Sequence, residues 1–145
     1  MACRPSIEID GVVYRNVVEL SYEIRTSIDE TGRPSDKSRA GLIKVKRVAD
    51  EESGIAKWAA GASTAGDTTS FRSGKMTIRY IAGMLEKEIS FEKAFVSRYE
   101  EKVPYAEKGV NTLPMEYFEI SCGKLSFDAD NFVLDNRWEE GTSGD

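Results

Sequence analysis

Apolar and polar side chains alternate strictly along residues 18–25, and no other feature of the sequence limits the possible folds as strongly. A period of two residues places one set on each side of a β-strand, so this strand has one buried and one wet face. The apolar set consists of Val18, Leu20, Tyr22 and Ile24. Alternating or β-prone segments return at 7–9, 12–14, 40–49, 75–81, 89–96, 115–127 and 132–134. The sequence therefore predicts a mainly β protein.

Only one segment has a helical period, because its apolar residues recur at spacings of three and four and make a narrow stripe. The stripe consists of Ile55, Trp58, Ala59 and Ala62. Asp50 is the expected N-cap of this helix. About seven or eight strands in one small domain usually close on themselves to remove their edges. We therefore expect an antiparallel β-barrel domain over residues 1–138 with one flanking α-helix, followed by a flexible acidic tail over 139–145.

Counting in steps of two also assigns a face to each residue of the longer predicted strands. In the strand over 89–96, the opposing sets are Ile89, Phe91 and Phe95 against Ala94 and Val96. In the last long strand, the opposing sets are Phe118, Ile120 and Cys122 against Tyr117, Leu125 and Phe127. If the strand at 40–49 pairs antiparallel with 18–25, Lys44 and Lys46 face Glu19 and Glu23 across the pair.

The inventory of reactive side chains excludes most kinds of catalytic site. The sequence contains no histidine, so a triad or general base built on imidazole is absent. Two cysteines, Cys3 and Cys122, are too few for a four-thiolate metal site or an iron–sulfur site within one chain. Adjacent carboxylates such as Glu100 and Glu101 point apart on a strand, so they do not form an acid–base pair. We therefore expect no catalytic residue, no cofactor and no metal site.

Charge and hydropathy limit the partners of the chain as well. The net charge of −5 disfavours nucleic acid, because binding to phosphates requires a positive surface. No apolar run approaches the ~18 residues of a membrane-spanning helix, and the N-terminus lacks the apolar segment of a secretory signal. Two free thiols are the expectation, with a disulfide between them as the alternative. A β-rich chain with long polar loops and without catalytic groups fits a structural or assembly subunit.

Several segments of the chain resemble a known family. They are Tyr22-Glu23-Ile24-Arg25, Asp29-Glu30-Thr31-Gly32-Arg33-Pro34-Ser35 and Arg39-Ala40-Gly41-Leu42-Ile43. The likeness continues in Trp58, in the strand Phe118-Glu119-Ile120-Ser121, and in a C-terminal region with Asn136 and Trp138. These segments are similar to the tube protein of bacterial type VI secretion systems, also called haemolysin-coregulated protein or TssD, in the branch found in Bacteroidota. The Gly-Arg-Pro-Ser loop between two long alternating strands is the most specific piece.

The resemblance implies a β-barrel subunit that forms hexameric rings, which stack into a hollow tube. A contracting sheath expels this tube, so the implied partners are other copies of the chain, sheath, spike and baseplate proteins, and secreted effectors. The protein would assemble in the cytoplasm and leave the cell without a signal peptide. A phage-tail-like or extracellular injection particle with the same architecture stays open. From another functional class, the alternative is a monomeric barrel that binds a small molecule.

Two segments are the candidates for subunit contacts that follow from the resemblance. The connection 28–39 is longer than the usual hairpin loop of ~2–5 residues, and we expect it to reach an adjacent subunit or ring. Its candidate residues are Asp29, Arg33, Pro34, Lys37 and Arg39. A mobile loop in solvent is the alternative. Ile55 and Trp58 are the candidates on the helix, facing the lumen or a subunit contact, although for Trp58 a place in the core is the favoured interpretation.

Overall fold

The fold was analysed in a computed structural model that describes residues 3–50, 54–61, 71–80, 85–105, 113–127 and 132–136. These residues form ten strands and one helix. In chain order they are β1 (Cys3–Ile9), β2 (Val12–Tyr14), β3 (Val17–Ser21), β4 (Ile24–Arg25), β5 (Arg39–Ala40), β6 (Ile43–Val48), α1 (Gly54–Gly61), β7 (Arg72–Tyr80), β8 (Leu85–Lys102), β9 (Met115–Phe127) and β10 (Phe132–Asp135). Ala62, Trp138 and the predicted tail 139–145 lie outside the described residues.

Eight of the strands form one antiparallel sheet in the order β2-β1-β7-β8-β9-β6-β3, with β10 paired to β9. β6 and β10 lie one after the other along the same side of β9. β1 and β3 contact each other, so the sheet curls into a half-barrel. The prediction of a mainly β, barrel-like antiparallel fold with one helix is therefore confirmed. β4 and β5 form a separate two-stranded sheet outside it.

Side chains fill the interior of the half-barrel, as expected for a barrel of this strand number. They come from the sheet and from α1, and the largest fully buried ones are Trp58, Phe91, Phe118, Ile7, Ile9 and Ile43. The first hairpin forms at Asp10 and Gly11, whose positive φ angles of 52° and 82° suit the tight hairpin turn for which an Asp-Gly pair is typical. The core is thus built mainly by strands whose side chains alternate between a buried and an exposed face of the sheet.

The strand predicted over 18–25 differs from the expectation of one continuous buried face. The register of β3 against β6 shifts between Val17 and Glu19, which is a β-bulge. The bulge turns Val18 outward, where it is 60% exposed, and Ile24 beyond the end of β3 is 49% exposed. Glu19 does lie opposite Lys46, whereas Ser21 rather than Glu23 lies opposite Lys44. The prediction of one continuous buried face was therefore wrong for Val18 and Ile24, at the two ends of this segment.

The face assignments in β8 and β9 were also wrong, because both strands change the buried face halfway along. Lys93 has a φ of 55°, and β8 gains one residue relative to β7 at this point. Ala94 and Val96 therefore point into the core with Phe91. Phe95 points to the outer face, where its ring stacks on Phe71 with ring centroids 5.9 Å apart.

In β9, Cys122 and Gly123 are consecutive buried residues, so the inward face changes there. Leu125 and Phe127 consequently share the core with Phe118 instead of facing away from it. Ala94 pairs with Cys122, so the two strands change face at the same level of the sheet. This matched change keeps the interior apolar along the whole length of the two longest strands.

The described part of helix α1 covers Gly54–Gly61, and residues 51–53 lie outside the described ranges, so the N-cap role of Asp50 stays a prediction. Asp50 accepts a hydrogen bond from Arg47 Nη2 at 2.9 Å. α1 has eight residues and packs against β8. In the described part of the chain, no helix has both the length and the apolar content to cross a membrane.

Candidate assembly site

Residues 24–40, here called the finger, leave the sheet between β3 and β6 as an ordered hairpin. β4 pairs with β5 at its base, where Ile24 lies opposite Ala40 and Arg25 opposite Arg39. Further out, Ile28 and Pro34 form an isolated antiparallel bridge. Nearly all of the finger is exposed, so its own hydrogen bonds hold it rather than a hydrophobic core. The predicted connection 28–39 is thus an organised projection.

Asp29 organises the tip of the finger. Its Oδ1 accepts hydrogen bonds from the backbone N–H of Thr31 at 2.9 Å, from Thr31 Oγ1 at 2.7 Å, and from the backbone N–H of Arg33 at 3.0 Å. The hydrogen bond from the Thr31 hydroxyl is the main reason why the pKa of Asp29 lies below its ordinary value. An aspartate that bonds the following backbone is typical of a turn, so Asp29 shapes the tip and places Arg33.

The other candidate residues divide between the tip and the returning limb. Arg33 and Pro34 sit at the tip beside Asp29, and their side chains are exposed. Lys37 lies on the returning limb and is exposed there as well. Arg39 Nη2 donates to Asp36 Oδ2 at 3.0 Å, an exposed ion pair that contributes little to stability.

The returning limb is attached to the sheet by Asn136, which follows β10. Asn136 Oδ1 accepts from the Ala40 backbone N–H at 2.8 Å, and Asn136 Nδ2 donates to the Ala40 carbonyl at 3.2 Å. The same Nδ2 donates to the Cys122 carbonyl at 3.0 Å. We name these three hydrogen bonds the amide clamp. In the sequence Asn136 stands out only through the resemblance to the family, because a contact across 96 residues leaves no local pattern.

The outgoing limb has its own attachment at Tyr22, which lies between β3 and β4. The Tyr22 ring contacts the Phe127 ring with centroids 5.8 Å apart. Lys87 Nζ donates to the Tyr22 hydroxyl at 3.1 Å and also lies 5.8 Å from its ring centroid. Both limbs of the finger are therefore fixed to the body of the subunit.

The two helix candidates, Ile55 and Trp58, lie inside the subunit. They are 1% and 2% exposed and belong to the main hydrophobic cluster. The guanidinium of Arg72 lies 5.1 Å from the centroid of the Trp58 ring. The stripe on α1 points at β8, so its apolar side chains pack in the core, and the exposed side of the helix carries Lys57. In this conformation neither candidate offers its side chain to a lumen or to a neighbour.

The buried charges in the described part of the chain form one network around Arg47 and Glu116, which are each 2% exposed. Arg47 Nη1 donates to Glu116 Oε2, and Arg47 Nε donates to the Arg15 carbonyl at 3.2 Å. The Tyr99 hydroxyl donates to the other carboxylate oxygen, Glu116 Oε1, at 2.7 Å. Burial alone lowers the pKa of Arg47, but its hydrogen bonds to Asp50 and Glu116 outweigh this and raise it.

This network has the features of a structural tie rather than a reactive site. Burial, together with the hydrogen bond to Glu116, raises the pKa of the Tyr99 hydroxyl, which keeps it protonated. The donors and acceptors satisfy one another across β6, β8 and β9. Within the described ranges, no group of three or more Cys, Asp or Glu side chains is arranged to hold a metal ion.

The two cysteines are free thiols, as expected, and they differ in their surroundings. Cys3 is exposed on β1, whereas Cys122 is buried, and burial raises the pKa of Cys122 to about 11. Because the thiolate is the reactive form, we expect an aromatic disulfide reagent at pH 8 to modify Cys3 rapidly and Cys122 only after unfolding. Counting released chromophore in native and denatured protein measures this, and two fast thiols in the native protein would contradict it.

Solved structures of the same fold come from secretion and injection systems. Hcp1 from Flavobacterium johnsoniae is 22% identical, with 92% of this chain and 99% of that chain covered and a TM-score of 0.72. Hcp1 from Salmonella typhimurium is 14% identical, with 92% of each chain covered and a TM-score of 0.61. The sheath–tube complex of an extracellular contractile injection system is 10% identical, with 91% and 88% covered and a TM-score of 0.52.

The family is shown by sequence. The model of the family described as "Hemolysin coregulated protein Hcp (TssD)" matches residues 1–139. No curated protein matches the chain. The matched range contains the whole sheet, α1, the finger and Asn136. The chain therefore belongs to the Hcp (TssD) family, the tube proteins of type VI secretion systems.

Proposed function

We propose that this chain forms hexameric rings that stack into the inner tube of a type VI secretion system, which sheath contraction expels together with effectors. The observation that carries this proposal is the finger, an exposed hairpin that is ordered by its own hydrogen bonds and attached at both limbs. An exposed hairpin that buries little apolar surface adds little to the stability of the isolated subunit, because ordering it costs conformational entropy. A contact with another copy of the chain would bury part of the hairpin and so account for its ordered structure.

The filled interior supports a bore between subunits rather than through one. Phe91, Phe118 and Trp58 occupy the centre of the half-barrel, so a passage must be enclosed by several copies. A closed ring requires two different patches on each subunit that meet head to tail, and stacking requires a further pair of surfaces. The same filled interior counts against the alternative of a monomeric barrel with a small-molecule cavity.

The chemistry of the finger suits a contact with an acidic surface of another copy. Arg33 and Lys37 are exposed cations that would pair with carboxylates there, and Pro34 limits the entropy lost on docking. Ile24 and Ile28 add apolar area to the same projection. The function then resides in docking surfaces and needs no catalysis, and sheath, spike and baseplate proteins would be further partners. Assembly in the cytoplasm, followed by export with the expelled tube, completes the proposal.

The proposal is tested by the size and shape of the purified full-length protein. We expect a mass of several subunits by light scattering and annular particles in negative-stain images, with stacks of rings at high concentration. A monomer near 16.1 kDa at every concentration would overturn the proposal and favour the small-molecule-binding alternative.

Replacing both Arg33 and Pro34 by alanine is expected to leave the subunit folded but to weaken stacking or ring closure, because both residues lie on the exposed tip. Analytical ultracentrifugation measures the loss of large assemblies, and thermal unfolding of the isolated subunit measures folding. Arg79→Ala is the matched control, since it removes an exposed arginine of β7 that pairs with Glu86 at 3.3 Å. Normal tubes from the double variant would remove the finger tip from the assembly contacts.

A further inference from the structure

We propose that Asn136 is a positioning residue that sets the direction in which the finger leaves the sheet, and through it the geometry of the contact with another copy. This inference rests on the proposed function, because the finger matters only if it docks. Asn136 itself touches no partner in this proposal. It acts on the finger through the amide clamp to Ala40.

β6 and β10 pair one after the other along the same edge of β9. β6 pairs along this edge up to Ile43 opposite Ile120, and β10 pairs from Asp135 opposite Lys124. The backbone N–H of Asn136 continues the β10 ladder with a hydrogen bond to the Gly123 carbonyl at 2.8 Å. β10 therefore occupies the line along which the chain before β6 would otherwise run, and the finger has to turn away from the sheet there.

The side chain of Asn136 then replaces the lost backbone pairing. Its amide offers one donor face and one acceptor atom, the same pair of groups that a peptide unit offers to a neighbouring strand. Oδ1 takes the Ala40 N–H, while Nδ2 is shared between the carbonyls of Ala40 and Cys122. β5 is thereby joined to the main sheet through a side chain, in one defined orientation.

The direction of the finger depends on this joint because the finger has little else to hold it. β4 and β5 are two residues long, and a two-stranded hairpin of this size is marginal on its own. Tyr22 holds the outgoing limb through its contacts with Phe127 and Lys87. With the amide clamp removed, the finger keeps the Tyr22 contacts, the hydrogen bond from the Gly41 N–H to the Glu23 carbonyl at 2.8 Å and the packing of Ala40 against the core, but it loses the hydrogen bonds that fix the orientation of Ala40 to the sheet.

The chemistry of the clamp is specific for asparagine. Aspartate keeps the acceptor for the Ala40 N–H, but it replaces the two donated hydrogen bonds by a charge that faces two carbonyl oxygens. Alanine removes all three bonds without adding a charge, and it keeps the backbone bond to Gly123. We therefore expect both variants to release the returning limb, with the larger effect for Asn136→Asp.

Hydrogen–deuterium exchange of the full-length protein, combined with images of its assemblies, tests the proposal. In Asn136→Ala we expect the Ala40 amide to exchange about tenfold faster or more, while the amides of β6 keep their protection. We expect rings to persist and stacked rings to be lost. Val133→Ala is the matched control, because Val133 is an exposed residue of β10, the strand just before Asn136, and its side chain plays no part in the clamp.

Each outcome separates this inference from the proposed function. Unchanged exchange at Ala40, or faster exchange with stacking at the wild-type level, would overturn the positioning role. Loss of folding in both Asn136 variants would also overturn it, since Asn136 would then hold the core rather than the finger. If the wild-type protein forms no rings at all, the proposed function fails, while the exchange result still reports whether the clamp holds the finger.

Discussion

Glu116→Ala is expected to lower the free energy of unfolding by about 3 kcal/mol, because it leaves the buried charge of Arg47 with the half-exposed Asp50 in place of its buried partner. Arg47 is 2% exposed, so water cannot replace the lost carboxylate without opening the sheet. The substitution also leaves the Tyr99 hydroxyl without the acceptor that it now bonds at 2.7 Å. For a domain of this size, such a loss removes a large part of the total stability. Urea denaturation followed by circular dichroism measures the change.

Two further variants show whether the cause is the unpaired charge. Glu86→Ala removes an exposed carboxylate that pairs with Arg79 at 3.3 Å, and its effect should stay below about 1 kcal/mol. The double variant Arg47→Met and Glu116→Leu removes both buried charges together. Much of the stability lost in Glu116→Ala should therefore return. If the double variant is as unstable as the single one, packing around Glu116 rather than its charge is responsible.

Gly74→Ala is the second substitution with a large expected effect, about 3 kcal/mol, at the upper end of typical overpacking costs. A Cβ at this position would lie 2.0 Å from the backbone oxygen of Glu8 and 2.7 Å from Cζ of Phe91. The Glu8 carbonyl belongs to β1, which pairs with β7 here, so relief requires moving one strand away from the other. Phe91 lies in the core and has little room to yield.

The matched control for this prediction is Gly61→Ala, at the end of α1. No described residue lies within 4 Å of a Cβ built there, and alanine favours helix more than glycine does. We expect Gly61→Ala to change stability by less than about 1 kcal/mol, and in the stabilising direction. Equal midpoints of urea denaturation for Gly74→Ala and the wild type would show that β1 and β7 separate at almost no cost.

The fold class was predictable because period two and period 3.6 are properties of short segments. The hairpin at Asp10 and Gly11, the helix with Ile55 and Trp58, and the inward Ile43 and Val45 all follow from their immediate neighbours. The errors occurred where a strand breaks its own period. The bulge beside Val18 turns this side chain outward, the left-handed Lys93 reverses the faces that follow it, and neither change can be read from the residue type.

The candidate assembly site was predictable in its tip and not in its base. Asp29 precedes Thr31 and Gly32 in a pattern typical of turns, so an organised tip follows from local chemistry. The base depends on Asn136, which meets Ala40 only because β10 and β6 share one edge of β9. Contacts of this kind arise from the topology of the whole sheet, and the single sequence carries no periodic signal for them.

The position of β9 in the sheet has a consequence for how the protein is made. β9 is the last of the long strands to be synthesised, yet it lies between β8 and β6 and joins the two halves of the sheet. A nascent chain can form local hairpins such as β1 with β2 or β7 with β8, but it cannot close its core until residue 127 has left the ribosome. Until then the edges of β6 and β8 stay open to other chains, so slow or stalled translation through 115–127 would favour aggregation over folding.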